Sequence, residues 1–206
     1  MKPLLIGIYS PAPRMGKTTA ADLLIKHHEF SRVKFASPIH TMLSSLLLLA
    51  GYSHDTLQRI QEGDLKHARL DLLKGGPTYR KLAQTLGTEW GRDCIHGDLW
   101  ADVWASAVMD LLEQGHNVVV DDLRFANELR VLLSLGGYPV ELVRPQAVPP
   151  KRPWWRRGHR SEGQLSGKCL SYLHNEHGLD ALHHEVGALV RRASISTSLK
   201  ETKRGL

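Results

Sequence analysis

Apolar positions along this chain come in two alternating kinds of run. Leu4-Leu5-Ile6-Gly7-Ile8, the stretch Asn117 to Asp122 with Val118-Val119-Val120 at its centre, and Tyr138 to Val143 are short and nearly unbroken, the signature of strands buried on both faces. Ser31 to Ala36 and Cys169 to Leu173 predict two more short strands. Between them lie helical segments. Ala20 to Lys26 is the first, and Pro38 opens a second that runs through Leu49 and stops at Gly51. Because Leu46 to Leu49 is apolar on all sides, this second helix is expected to be buried. A third spans Thr78 to Trp90 with Thr78 as N-cap, and a fourth is capped by Asp98 or a neighbour and runs through Glu113. In the fourth, Trp100, Val103, Trp104, Ala107, Val108, Leu111 and Leu112 recur at helical spacing and predict a core-facing stripe. Asn127 to Leu135 and Leu179 to Val190 complete the set. Residues 52 to 77 are polar, punctuated by Gly63, Gly75, Gly76 and Pro77, and read as a mobile insert of short helices; residues 194 to 206 read as a polar, frayed tail.

Five strands alternating with helices imply an α/β fold with a five-stranded parallel sheet and helices on both faces. In such sheets the ligand crevice lies beyond the carboxyl ends of the strands. The loop after Ile8, Asp122-Leu123-Arg124 and the loop after Val143 all fall there, though far apart in sequence.

The composition changes this picture only modestly. The 206 residues are 42% hydrophobic and 23% charged, ordinary for a globular domain. The formal net charge of +6 and the sequence pI near 9.4 suit a polyanionic ligand, nucleotide or nucleic acid. Cys94 and Cys169 show no pairing pattern and no activating base nearby, so both are read as packing residues in a reducing compartment. No apolar run approaches the roughly 20 residues that span a bilayer, and no secretory leader is evident, so a cytoplasmic protein with no membrane partner is expected.

The chemistry concentrates first at Tyr9-Ser10-Pro11-Ala12-Pro13-Arg14-Met15-Gly16-Lys17-Thr18-Thr19. A strand, a tight loop, Gly-Lys-Thr and a helix form the layout of a phosphate-binding P-loop. Amides of the loop and of the new helix converge on one point, and the helix dipole favours an anion there. Arg14, Met15, Gly16, Lys17, Thr18 and Thr19 are the residues expected to cradle ATP; Lys17 would reach the β- and γ-phosphates and the Thr18 hydroxyl would hold Mg²⁺. Pro11 stands where the usual pattern has its first Gly, so the loop must start differently.

Further candidates follow. Asp121 and Asp122 end an apolar strand as a Walker-B carboxylate does, able to hold Mg²⁺ through water or a substrate hydroxyl. Asp122 is favoured because Arg124 follows it and could grip a phosphate; Asp121 stays undecided between chemistry and helix capping. Arg80 and Gln84 are four apart and share a helix face, with Thr88, Trp90 and Arg92 beyond them, either contacting a phosphate and a base edge or forming a solvated face. Arg144 through Arg160 carries six cations without an acid, and Trp154 and Trp155 lie among them. This stretch reads as a lid over a transferring phosphoryl group, as a nucleic-acid-binding loop, or as a plain basic surface. The pairs His174/His177 and His183/His184 lack zinc-like partners and are read as surface or packing histidines. No general base stands out, and none is needed when the acceptor is already a phosphate anion.

Taken together these residues resemble the phage-type deoxynucleoside monophosphate kinases, a branch of the P-loop nucleoside monophosphate kinases. The resemblance is carried by Gly16-Lys17-Thr18-Thr19 with Ala21-Asp22, by Phe35-Ala36-Ser37-Pro38, by Leu86-Gly87-Thr88-Glu89-Trp90-Gly91-Arg92 with Trp100, and by Asp122-Leu123-Arg124-Phe125-Ala126-Asn127-Glu128. Arg144-Pro145, His159-Arg160-Ser161-Glu162 and Asn175 match more weakly. It implies a three-layer α/β/α kinase domain over residues 1–193, with a core of 1–37 and 115–193, a monophosphate-binding helical insert at about 38–114 and a lid at about 144–163. It implies ATP- and Mg²⁺-dependent phosphorylation of a deoxynucleoside monophosphate in the cytoplasm, that of the host if the chain is phage-encoded. By position, Lys17, Asp122, Arg124 and Arg157 are the catalytic candidates. Arg80, Gln84, Thr88, Trp90, Arg92, Asp122 and Arg124 are candidates for the acceptor nucleotide, and Arg156, Arg157 and Arg160 for the lid. His40 replaces the Lys that relatives tend to carry after Pro38. Partners are small nucleotides rather than nucleic acid, and a homodimer is left open. The alternatives are another small-molecule kinase, such as one acting on dephospho-coenzyme A, or a nucleic-acid-binding protein with a vestigial P-loop.

Overall fold

The computed structural model describes residues 2–61, 63–144, 165, 167, 169 and 171–202. Five strands, β1 (Leu5–Tyr9), β2 (Phe30–Arg32), β3 (Asn117–Val120), β4 (Tyr138–Val143) and β5 (Ser171–His174), pair in the order β2-β3-β1-β4-β5, and every pairing is parallel. The helices are α1 (Lys17–His28), α2 (Ser37–Leu49), α3 (His54–Gln61), α4 (Tyr79–Gln84), α5 (Leu99–Glu113), α6 (Ala126–Ser134) and α7 (Leu179–Thr202). The predicted fold class, an α/β sheet of five parallel strands, is what forms. Two compact units make up the chain: Met1–Lys34 with Ala105–Leu206, and Phe35–Trp104.

The first unit contains the sheet. Side chains alternate across β1. Ile6 and Ile8 point into a core built with Ala20, Ala21 and Leu24 of α1 and Leu182, Val186 and Leu189 of α7. Gly7 faces the other way, and a Cβ there would lie 2.5 Å from Leu132 Cδ2 of α6, itself fully buried. Helices therefore cover both faces, which explains why β1 and β3 read as continuous apolar runs.

The second unit has its own core of Leu43, Leu47, Leu57, Ile60, Leu70 and Tyr79. Its α2 departs from expectation. Leu43 and Leu47 are buried, but Met42, Leu46 and Leu48 are partly exposed and Leu49 is 88% exposed, because only one stripe of this short helix meets the core. The third helix departs too: α winding stops at Gln84, and Thr85–Ile95 continues as a π-helix. Thr78 does cap it, its hydroxyl accepting the Lys81 amide at 3.2 Å. Trp100 and Trp104 are buried as the stripe predicts, Trp104 against Phe35 at 4.2 Å between ring centroids, while Val103 is exposed.

Three smaller differences complete the comparison. The second strand is Phe30–Arg32 rather than 31–36. The expected tail is helical as far as Thr202, as α7 continues past Ala193. Cys169 is buried as expected of a packing residue, whereas Cys94 is exposed.

At the α1–α7 contact the rings of His27 and His183 lie 4.3 Å apart, with His28 beside them. Loss of solvation, then His183, then Lys26 lower the pKa of His27; loss of solvation, then His183, His27 and Arg191 lower that of His28. A histidine whose folded pKa is depressed takes up its proton more readily when unfolded, so stability is lost as pH falls from the ordinary histidine value through the lowered one. The melting temperature is expected to drop between pH 7 and pH 5, and His183→Gln to flatten that dependence; equal slopes in both proteins would refute the assignment.

Candidate active site

The loop between β1 and α1 forms a cleft of about 350 Å³ lined by Arg14, Met15, Gly16, Lys17, Thr18, Thr19, Arg144 and Asn175. Every residue expected to cradle ATP lies on it. Arg14 (φ 61°) and Gly16 (φ 108°) are left-handed, and these two turns curl the backbone around the cleft. Pro11 sits exposed at the start of the loop, upstream of both. Helix α1 begins with no side-chain cap and no acid in its first turn, which leaves its first amides and positive dipole end to an anion.

Lys17 Nζ donates to Ser10 Oγ, and that hydroxyl donates to the Ala12 carbonyl at 2.8 Å. The buried Ser10 thus holds both the ammonium and the loop. Desolvation and then the Arg124 guanidinium pull the Lys17 pKa below the usual lysine range, while Asp121 and Asp122 push it back up. The P-loop lysine, both strand-end carboxylates and Arg124 therefore share one electrostatic neighbourhood in the first unit.

Asp121 lies buried just past the end of β3. Its side chain is 3% exposed, Oδ1 has no hydrogen-bond partner among the described residues, and Oδ2 is 3.8 Å from Arg32 Nε. A buried carboxylate oxygen without a donor is costly, so its place at this strand end points to a ligand. Asp122 is half-buried and Arg124 exposed. Glu128 explains the rest of that segment: buried, it accepts the amides of Arg124 at 2.8 Å and Phe125 at 3.0 Å with one oxygen, and so fixes the backbone that carries Arg124.

Two residues gain roles that sequence reasoning gave them weakly or not at all. Asn175, just past β5, donates from Nδ2 to the Met15 carbonyl at 2.8 Å, while its amide donates to Val143 at 2.9 Å. A Cβ on Gly16 would lie 2.4 Å from that Nδ2, so glycine is required both for the turn and for the Asn175 brace. Arg32, read only as a strand residue, pairs with Asp22, reaches the Thr18 carbonyl at 3.4 Å and lies beside Asp121. No local pattern marks it, since its partners come from α1 and from the end of β3.

In the second unit, Arg80 on α4 is exposed, Gln84, Thr88 and Arg92 are half-buried along the same rod, and Trp90 is 41% exposed with Trp100 at 6.2 Å. Arg92 Nη1 donates to the Gly97 carbonyl at 3.4 Å. His40 stacks on Tyr79 with an interplanar angle of 9° and hydrogen-bonds its hydroxyl, so it is committed inside the unit. Burial pushes the Tyr79 phenol up to about 12. Arg156, Arg157 and Arg160 lie outside the described residues.

A curated protein of Acanthamoeba polyphaga mimivirus, named "Putative deoxynucleotide monophosphate kinase", is 32% identical over 139 residues, covering 63% of this chain and 69% of its own length. The chain belongs to the deoxynucleotide monophosphate kinase family. It is accordingly a P-loop kinase of the nucleotide type, a phosphotransferase. No family profile matches it. Among solved structures, a dephospho-CoA kinase from Campylobacter jejuni matches at 14% identity and a TM-score of 0.49 over 94% of this chain and 98% of its own. A gluconokinase from Sinorhizobium meliloti 1021 matches at 15% and 0.45 over 94% and 95%. Among the described residues of this family member, no helix is long and apolar enough to cross a membrane.

Proposed function

We propose that the protein transfers the γ-phosphoryl group of ATP to the monophosphate of a deoxynucleoside, giving the diphosphate and ADP. The observation that carries this is the cleft at the start of α1: an uncapped helix N-terminus, two left-handed turns and the cations Arg14, Lys17 and Arg144 around a space open to a polyphosphate. The Thr18 hydroxyl on that cleft and the unpartnered Asp121 oxygen are hard oxygen donors that fit Mg²⁺, with Asp122 able to add a water-mediated contact. When bound, Mg²⁺ neutralises charge on the phosphate oxygens.

This chain's own residues then do the following. Lys17 leaves Ser10 for the β- and γ-phosphates and follows the negative charge as it shifts to the leaving group. The loop amides hold the polyphosphate in one orientation. Arg124, carried on a backbone that Glu128 fixes, faces the transferring group or the acceptor phosphate. Asp122 and the stripe Arg80, Gln84, Thr88 and Arg92, with Trp90, are assigned to the acceptor nucleotide. The acceptor phosphate attacks as an anion, so no side chain needs to remove a proton. The stretch 144–163 is proposed to be the lid, and Arg157 its phosphoryl contact.

A coupled ADP-release assay with ATP, Mg²⁺ and dTMP, dGMP, dCMP, dAMP or dephospho-coenzyme A tests the reading. Turnover with one or more of the deoxynucleotides is the expected result, and turnover with dephospho-coenzyme A alone would overturn it. Asn175→Ala, which frees the Met15 carbonyl, is expected to raise KM for ATP about tenfold with KM for the acceptor unchanged. Parallel changes in both constants would count against a brace specific to the P-loop.

A further inference from the structure

The π-helix at Thr85–Ile95 is unusual in length, since runs with i→i+5 bonding are mostly single turns found at functional sites. It coincides with the segment that bears the acceptor candidates. We infer that the change from α to π winding after Gln84 is what brings Arg80, Gln84, Thr88 and Arg92 into one stripe, and that Trp100 is the positioning residue that holds this winding. The inference rests on the assignment of that stripe to the acceptor nucleotide.

In an α-helix each residue turns 100°, so a step of four overshoots a full circle by about 40°. In a π-helix, at about 4.4 residues per turn, the same step falls short by about 33°. Over Arg80, Gln84, Thr88 and Arg92, an unbroken α-helix would drift by about 120°, which would carry Arg92 a third of the way around the rod. With one α step followed by two π steps the drifts largely cancel, leaving about 25°.

Burial follows this register. Tyr79, Gly87 and Gly91 are buried and Ala83 partly so, a stripe at intervals of four that stays on the inner face through both kinds of winding. Gln84, Thr88 and Arg92 lie one residue further on and are half-buried, as are Leu82, Thr85 and Leu86, while Arg80 at the start of the row is exposed. Lys81 and Glu89, one residue further again and eight apart, lie 3.6 Å from each other across a third row.

Trp100 supplies the lock. Its indole Nε1 donates to the Gly87 carbonyl at 2.8 Å, inside the π segment, and the ring is 3% exposed. A Cβ on Gly91 would lie 2.5 Å from the indole Nε1 and Cζ2, so the ring lies directly on the glycine backbone. A Cβ on Gly87 would lie 2.9 Å from Ile39 Cδ1. Both glycines of Leu86-Gly87-Thr88-Glu89-Trp90-Gly91-Arg92 are thereby explained by close approach to the π backbone. At the far end, the His96 amide donates to Gly91 at 3.0 Å and closes the last i→i+5 bond.

The test uses the full chain with Trp100→Phe, which removes the donor and keeps an aromatic ring, and Trp100→His, which keeps a ring N–H. Steady-state kinetics with the deoxynucleotide varied at saturating ATP and Mg²⁺ are combined with hydrogen–deuterium exchange over residues 85–95. Trp100→Phe is expected to raise KM for the acceptor about tenfold, to leave kcat and KM for ATP within about twofold, and to speed exchange in that segment; Trp100→His is expected to recover part of the loss. If Trp100→Phe does not fold, two surface variants decide. Thr88→Val, in the stripe, is expected to raise KM for the acceptor, while Glu89→Gln, one row away, is expected to leave it unchanged. Wild-type turnover of a deoxynucleotide, with KM for the acceptor unaltered in Trp100→Phe or equal in the two surface variants, overturns this inference alone. No wild-type turnover of any deoxynucleotide overturns the acceptor assignment and this inference with it.

Discussion

Lys17→Ala lowers kcat/KM for ATP about a thousandfold and leaves the melting temperature unchanged or slightly higher. The two halves of this expectation have separate causes. The ammonium sits where the β- and γ-phosphates are proposed to lie, at the first residue of α1, where it is placed to meet charge developing on the leaving phosphate in the transition state. Stability does not suffer, because Lys17 opens α1, where alanine is a good helix former. The ammonium is also partly desolvated and faces the Arg124 cation, so removing it relieves a repulsion. Ser10 loses one donor but keeps its bond to the Ala12 carbonyl. The same shift predicts a pH effect. The charged lysine is the active form and its pKa is lowered, so kcat/KM for ATP falls on its alkaline side before an ordinary lysine would titrate; this limb is absent in the variant. Steady-state kinetics across pH and a thermal melt check both halves. Activity within tenfold of wild type would remove the P-loop from the mechanism.

Asp121→Asn is the second large effect, with kcat lowered at least about a hundredfold and the melting temperature raised. The carboxylate is almost completely buried, one oxygen has no donor among the described residues, and Arg32, 3.8 Å away, is already paired with Asp22. A buried charge so poorly compensated costs stability, and the neutral isostere relieves that cost while Arg32 keeps Asp22. What is lost is the charge beside Lys17, which the proposed function also offers to Mg²⁺. A gain in stability with a loss of rate is the signature of a group retained for chemistry; a loss of both would make Asp121 a structural partner of Arg32. Asp122→Asn in parallel separates the two neighbours, because a half-buried acceptor contact is expected to move KM for the deoxynucleotide more than kcat.

Much of this was readable along the chain because it depends on neighbours in sequence. Val118-Val119-Val120 reads as a buried strand since both faces of β3 are covered, and Gly16-Lys17-Thr18 after Ile8 reads as a phosphate loop since strand, turn and helix N-terminus are contiguous. Thr78 as an N-cap, the burial of Trp100 and Trp104, and the five parallel strands follow from the same local rules. The exposed Leu49 misleads, because apolar composition does not say how many faces of a helix will find partners.

The remainder depends on residues distant in sequence. Asn175 reaches back 160 positions to Met15, Arg32 meets Asp121 only because β2 lies beside β3, and the unpartnered oxygen of Asp121 is visible only once its surroundings are known. The π winding is the clearest case. Local propensity favours an α-helix through Trp90, and the wider turn is held by an indole from the next helix lying on Gly91 and bonded to Gly87. Periodicity along a chain reports the twist a segment prefers on its own. The twist it adopts, and hence which side chains stand in one row, is set by what packs against it.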